Sequence, residues 1–568
     1  MEIAILSNTG DLSSYVTEIF STWGLSNTQT MPSGNIDGLD PVAFPVLVVP
    51  DAGDRPEAAI VRYAVSGGTA IVIKPRDTLA SSAGLTTLGV KDTPLRLRVT
   101  AFPVSGLAGE LLPIVGSAVR YECEEHARPL AYLSHPGQFD GESVGITETG
   151  IGSGRLICFA FDLALCVLLL RQGDPERAEI IPEGDACARP SHMASAIGPH
   201  DAGWIPFADL LSRLLVDLCR RFMPCPLPIV SHLPASAPGI LLYSGDEDNA
   251  EVASNDEEFA CVTEYGGKMN LYIIPGQTKS TPEDAVRYST NHHIGPHPNL
   301  RPLDGHPVQE RLAEFERQIK LFESTYSTSA VSVRNHCTAW AGYLEPVEVM
   351  ERLGIRMDAN YFSGTYKSDR EGAPYAAFGG ALPSRFCLPD GRLYDVYQQH
   401  THLTDDGMFG PPDYSFKISP EVFRVNLNRI FSDISARFHT PYGVCIHPGN
   451  WVKFSGEQGK ELMLQANQFG LPIWSFDQWV HFWDARDTWR IDSLRWEAPC
   501  LRFTVQGDNH PDLRLQLPEQ FENLSLVDFS VDGVSSIGTS CSRYGDPVSL
   551  YSMPLQNGVK EICVRYGG

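Results

Sequence analysis

Three short runs near the start of the chain, Ile3–Leu6, Pro45–Val49 and Thr69–Ile73, hold almost no polar residue and are interleaved with helix-patterned stretches. A strand that is apolar on both faces must be covered on both faces, which implies a parallel sheet between helix layers. Helices are predicted at Leu12–Trp23 and at Arg55–Val65, the second closing at Gly67-Gly68, and a further strand at Arg155–Phe161. Residues 1–230 therefore read as one α/β unit. Its Gly150-Ile-Gly-Ser-Gly154 is not a dinucleotide fingerprint, because it precedes a strand instead of joining a strand to a helix.

A Pro-rich stretch, residues 222–238, marks a boundary. The second unit spans 239–492. Its helix at Val308–Tyr326 places Leu312, Phe315, Ile319 and Phe322 on one apolar stripe, and another begins at Pro346 and closes at Gly354. Strands alternating with helices, and polar residues just after the strands, predict a barrel-like α/β domain with its site at the strands' C-terminal ends. Residues 493–568 change character: short strands punctuated by Gly, Asn, Asp and Pro predict a small β-sandwich.

With 568 residues, 69 acidic and 44 basic, the chain carries a formal charge of −25, which argues against nucleic acid or an anionic membrane as main partner. The N-terminus lacks the pattern of a signal peptide, and the longest apolar run, Leu156–Leu170, is broken by Asp162 and too short for a bilayer. Thirteen cysteines without any Cys-x-x-Cys pair fit reduced thiols and a cytoplasmic location. A homo-oligomer is compatible with all of this.

The chemistry concentrates in four segments. Gly239-Ile-Leu-Leu-Tyr-Ser-Gly-Asp-Glu-Asp248 is an apolar strand ending in Asp246 and Asp248. Asn291-His-His-Ile-Gly-Pro-His-Pro298, Arg334-Asn-His336 and Cys445-Ile-His-Pro-Gly449 follow. One carboxylate and two imidazoles can hold a divalent ion with a position open for water, leaving a second carboxylate as base. Taken alone, Asp-x-Asp after a strand is a turn or cap. His400 and His402, and likewise Trp340 and Tyr343, line a substrate cleft or belong to the core; packing explains both pairs as well.

In order and spacing these segments resemble the polysaccharide deacetylase, or NodB-homology, family (carbohydrate esterase family 4-like) over roughly residues 239–455. The resemblance implies a deformed (β/α) barrel in which Asp246 is the general base, Asp248 and His297 are metal ligands, Arg334 keeps the base ionised and His447 is the general acid. It departs from the family at Arg301, where a second ligand histidine is expected. His336 is the choice for that ligand, because related sequences pair a His-Pro-Asn segment, here His297-Pro-Asn299, with an Arg-x-His segment. His306 is its rival, and His293 a further option by i,i+4 spacing. Residues 1–230 resemble the flavodoxin-like, class I glutamine-amidotransferase-like domains. That family's nucleophilic Cys is missing from Ile71-Val-Ile-Lys-Pro-Arg-Asp77, which implies a non-catalytic copy.

The expectation is a metal-dependent amide hydrolase, an N-deacetylase acting on an N-acylated sugar or related small molecule, with zinc the default ion among several that fit. The alternatives are a non-catalytic carbohydrate-binding protein on the same scaffold and a C–N hydrolase of cyclic amides.

Overall fold

The computed structural model describes residues 1–51, 55–137, 143–195, 203–362, 379–411, 415–555 and 558–568. The early apolar runs become the parallel strands Ile3–Ser7, Val46–Val49 and Thr69–Ile73, flanked by Thr28–Pro32 and Gly154–Phe159. The helices Ser13–Thr22 and Glu57–Val65 fall where the sequence places them. The expected all-parallel flavodoxin-like sheet is nonetheless corrected to a mixed one of nine strands, because four antiparallel strands extend it beyond Gly154–Phe159. The reversal comes from the Gly-rich segment. Gly152, at φ +56, turns the chain between Ser143–Ile151 and Gly154–Phe159, and a Cβ at Gly154 would stand 2.2 Å from the Gly68 carbonyl. The turn that follows Thr69–Ile73 holds Lys74, at φ +44, with Nζ 3.5 Å from Asp51.

The Pro-rich stretch is more than a spacer. Its Ile229–Val230 pairs antiparallel with Leu515–Pro518 in a four-stranded sheet. A six-stranded sheet begins at Arg490–Glu497, and Phe529 of that sheet stacks on Tyr551 of the other with ring centroids 3.7 Å apart.

Between these regions Ile240–Asp246 lies at the middle of a parallel set. Asn270–Ile273 and then His293–Pro296 lie on one side, Pro441–Cys445 and then Leu403–Thr404 on the other. A second sheet holds Ser332–Val333, Met357–Asp358 and Leu393–Gln398 in parallel. Backbone bonds join the two. The N–H groups of Arg334 and His336 donate to the carbonyls of Pro296 and Pro298 at 3.4 and 2.9 Å. The chain leaving Leu393–Gln398 continues into Leu403–Thr404, with the His402 N–H donating to the Gly443 carbonyl at 2.7 Å. The strands therefore follow one another round a ring and end on the same side. The helix Val308–Tyr326 buries its predicted stripe of Leu312, Phe315, Ile319 and Phe322 against this ring, and the helix Glu345–Leu353 stops at Gly354 in the left-handed conformation.

All thirteen cysteines are free, and among the described residues no helix is long and apolar enough to cross a membrane.

Candidate active site

Asp246 is the last residue of its strand. Asp248 and Asn249 follow at φ +45 and +60, two successive left-handed residues that Asp and Asn tolerate better than most side chains. This curl returns the Asp248 carboxylate to the mouth of the ring beside Asp246. Glu247, between them, turns the other way: it is buried and accepts from Asn255 at 3.0 Å and from the Thr278 and Ser280 hydroxyls.

His297 sits one residue beyond His293–Pro296 and is 1 % exposed. Its Nδ1 donates to the Arg334 carbonyl at 2.7 Å. A carbonyl can only accept, so Nε2 is the lone-pair nitrogen when the ring is neutral. That Nε2 is buried without a hydrogen-bond partner, 3.2 Å from Asp248 Oδ1 and 3.8 Å from Asp246 Oδ2. His336 brings Nδ1 to 2.8 Å from the same Asp248 oxygen, its ring edge-on to His297 with centroids 5.4 Å apart. Asp248, His297 and His336 thus present one ligand atom each, all within 4.8 Å of one another. Burial pushes the His336 imidazolium down, but the Asp248 carboxylate and the Cys337 thiol beside it raise its pKa to about 10. Burial likewise opposes ionisation of Asp248, and the hydrogen bond from His336 together with the charge of His447 overrides it, holding the carboxyl well below its usual range. The loop carrying His336 is fixed from below: Asn335 N–H donates to Asn360 Oδ1 at 2.7 Å, and Asn360 Nδ2 donates to the buried Asp358 at 2.7 Å.

Arg334 is 0 % exposed and reaches across the ring. It donates to Asp246 Oδ1 at 3.0 Å, Ser244 Oγ at 2.7 Å, Thr401 Oγ1 at 2.9 Å and the Ala359 carbonyl at 3.1 Å, with Tyr272 and Phe476 beside the guanidinium. Burial works to raise the Asp246 pKa, but the charges of Arg334, His297 and His447 bring it below the ordinary value. A buried pair of this kind is costly to break from one side, at about 3–5 kcal/mol.

On the strand next to that of Asp246, His447 follows Pro441–Cys445, with Nε2 3.6 Å from Asp248 Oδ2. Its Nδ1 lies 2.6 Å from Asp405 Oδ1, its N–H donates to Asp405 Oδ2 at 3.2 Å, and Ser455 donates to that oxygen at 2.8 Å. Burial disfavours the imidazolium, yet Asp405, Asp406 and Asp248 hold its pKa well above 6.5. Sequence reasoning missed Asp405. Its signal is the one that exposed Asp246: a short strand, Leu403–Thr404, ending in carboxylates.

The other candidates stand elsewhere. His306 is exposed and pairs with Glu310 at 3.0 Å, outside the cluster. Arg301 lies in a surface turn, with Nε 2.6 Å from Asp304. His293 bonds Ser475 at 2.8 Å, and burial followed by the charge of Lys268 lowers its pKa to about 4. His400 stacks on Tyr361 and His402 on Tyr442, each 2 % exposed, so both belong to the core and line no cleft. Trp340 is 2 % exposed and donates to the Tyr343 carbonyl at 2.8 Å, again a core pairing.

No family model and no curated protein matches the sequence. Among solved structures, the chain is similar to Agd3, described as a novel carbohydrate deacetylase, with a TM-score of 0.43 and 10% identity over 99% of this chain and 98% of that one. It is also similar to a mutant of the peptidoglycan deacetylase PdaC from Bacillus subtilis, with a TM-score of 0.27 and 10% identity over 46% and 96%. A third likeness is to a β-galactosidase from Bacillus circulans sp. alkalophilus, with a TM-score of 0.26 and 12% identity over 40% and 33%. At these TM-scores none of the three likenesses assigns the chain an activity.

Proposed function

We propose that the chain is a metal-dependent amide hydrolase, an N-deacetylase acting on an N-acylated sugar or a related small molecule. The observation that carries this reading is the convergence of Asp248, His297 and His336 beside a buried carboxylate, Asp246, and a carboxylate-held histidine, His447. The residues fit a divalent cation. His297 Nε2 is a buried nitrogen with no hydrogen-bond partner, aimed at a carboxylate, and the set of one oxygen and two imidazoles suits zinc first and Co, Ni, Mn or Fe next.

Asp248, His297 and His336 would hold the ion. When bound, it supplies Lewis-acid polarisation of a carbonyl and acidifies water at neutral pH. The chain's own groups divide the proton transfers. Asp246, kept ionised by Arg334, accepts the proton of the attacking water. His447, kept protonated by Asp405, gives its proton to the departing nitrogen. The Asp246 carboxylate and the His447 imidazole lie within 4.8 Å of each other beside Asp248, so that one bound amide can meet both the base and the acid.

A non-catalytic saccharide-binding protein is the second reading, favoured by Arg301 at the position of the family's ligand histidine. A single experiment separates the two: elemental analysis of the purified protein together with acetate release from N-acetylated sugars. One divalent ion per chain and acetate release support the hydrolase. No ion after reconstitution with zinc, cobalt and nickel would rule it out.

A further inference from the structure

A cleft of about 630 Å³ opens at the other end of the parallel strands, next to the N-terminal end of Pro441–Cys445. It is lined by the loop 102–108, the end of the helix Phe207–Phe222, residues 225–227 and 436–437, and residues 518, 520–521 and 544–546 near the C-terminus. Two arginines at that helix end, Arg220 and Arg221, face it.

Arg220 is largely covered, its side chain 23% exposed, yet the nearest carboxylate oxygens, on Asp217 and Asp546, stand at 3.8 and 3.9 Å, beyond hydrogen-bond reach. Asp217 is engaged elsewhere, 2.9 Å from Arg213 and accepting from the Ser105 N–H at 2.9 Å. Arg221 lies over Phe102 and Phe222, 5.9 Å from each ring, a placement that orients the guanidinium without using its N–H donors. The third arginine of the cleft, Arg437, differs: Glu110 and Asp433 neutralise it. Two adjacent guanidinium groups, neither hydrogen-bonded to a carboxylate, thus line a walled space among Phe102, Phe521, Ser105 and Gln520; Asp217 and Asp546 also line it, as ion-pair partners of Arg220, and Arg221 is exposed at its rim.

A planar guanidinium fork matches a carboxylate in two parallel hydrogen bonds, and aromatic faces suit the apolar side of a sugar ring. The volume lies within the range of small-ligand sites. We propose that this cleft binds a carboxylate-bearing saccharide, with Arg220 and Arg221 on the carboxylate and Phe102 and Phe521 against the ring. The candidate active site lies at the opposite, C-terminal end of the same strands, so the proposal does not rest on the hydrolase reading.

The test is calorimetric titration of the full chain with trigalacturonate, with its methyl ester and with inorganic phosphate. Trigalacturonate is expected to bind, and the ester to bind about tenfold more weakly or worse, since charge-assisted bonds are lost. Arg220→Gln and Arg221→Gln should each weaken binding about tenfold, with unchanged circular dichroism. If Arg220→Gln does not fold, Arg221→Gln carries the test. Absence of binding at millimolar ligand, equal affinity for acid and ester, wild-type affinity in the variants, or phosphate binding as tight as trigalacturonate would each overturn the proposal.

Discussion

His297 Nδ1 donates to the Arg334 carbonyl at 2.7 Å in a place where a parallel ladder would put a backbone N–H. Arg334 and His336 donate to the carbonyls of Pro296 and Pro298, and the returning bond to Arg334 belongs to residue 298, a proline with no N–H to give. The imidazole fills that vacancy, and its tautomer is fixed with Nε2 toward Asp248. Pro298→Ala restores a competing donor. Its expected effect is a loss of divalent-ion affinity of about 10–100-fold, the usual cost of disturbing a ligand's outer partner, with thermal stability little changed. Zinc titration of wild type and variant decides it, and equal affinities would show that the carbonyl does not orient the ring.

Asp248→Ala and His336→Ala should each abolish stoichiometric metal while leaving the fold intact, and His306→Ala should keep the ion, since His306 pairs with Glu310 on the surface. Metal content of the three purified variants, read beside their circular dichroism, checks this. Retention of a full equivalent by His336→Ala would remove His336 from the ligand set.

Asp246→Asn should retain the ion and lose about 10²–10⁴-fold in turnover, because an amide cannot take up the water's proton. Glu247 offers no rescue, its carboxylate being committed to Asn255, Thr278 and Ser280. Near-wild-type turnover would place the base elsewhere.

The strands and helices that carry single-period apolar patterns were legible in the chain, as were the four motif segments. What escaped has physical causes. The antiparallel half of the first sheet contains strands such as Leu95–Val99, whose Arg96 and Arg98 alternate with apolar residues and show no continuous apolar run. Ile229–Val230 is too short to stand out among prolines, and only its pairing with Leu515–Pro518 makes it a strand. The choice between His336 and His306 turned on tertiary position: Cys337 at φ +57 and the Asn360–Asn335 bond set the His336 loop, and neither leaves a local sequence signal. Asp405 is 42 residues from the histidine it holds, beyond the reach of any local pattern.

Arg334→Met should act on both stability and pH dependence. Removing one partner of a buried pair strands Asp246 and is expected to cost about 3–5 kcal/mol in denaturant unfolding. Asp246 titrates below its ordinary range because Arg334 offsets the effect of burial, so without the guanidinium burial prevails and the pKa rises. The acid limb of kcat/KM, set by ionisation of the base, should then move to higher pH. A limb that stays in place would show that another group controls it.

His447 and Asp405 make the sharpest prediction, because they concern the leaving group alone. Asp405 holds the His447 pKa well above 6.5 against burial, so in the wild type the acid is charged through neutral pH. Asp405→Asn keeps a hydrogen-bonding side chain and removes the charge. The imidazolium then loses its support, its pKa falls, and the basic limb of kcat/KM should move to lower pH. An expelled amine must be protonated as the tetrahedral intermediate collapses, whereas a nitrophenolate leaves unaided. His447→Ala should therefore slow hydrolysis of an N-acetyl amine by about 10²–10⁴-fold while sparing a nitrophenyl ester, with metal content unchanged. The measurement is the wild-type to variant rate ratio on the two substrates; equal losses on both, or loss of the ion, would make His447 a ligand or packing residue instead of the acid.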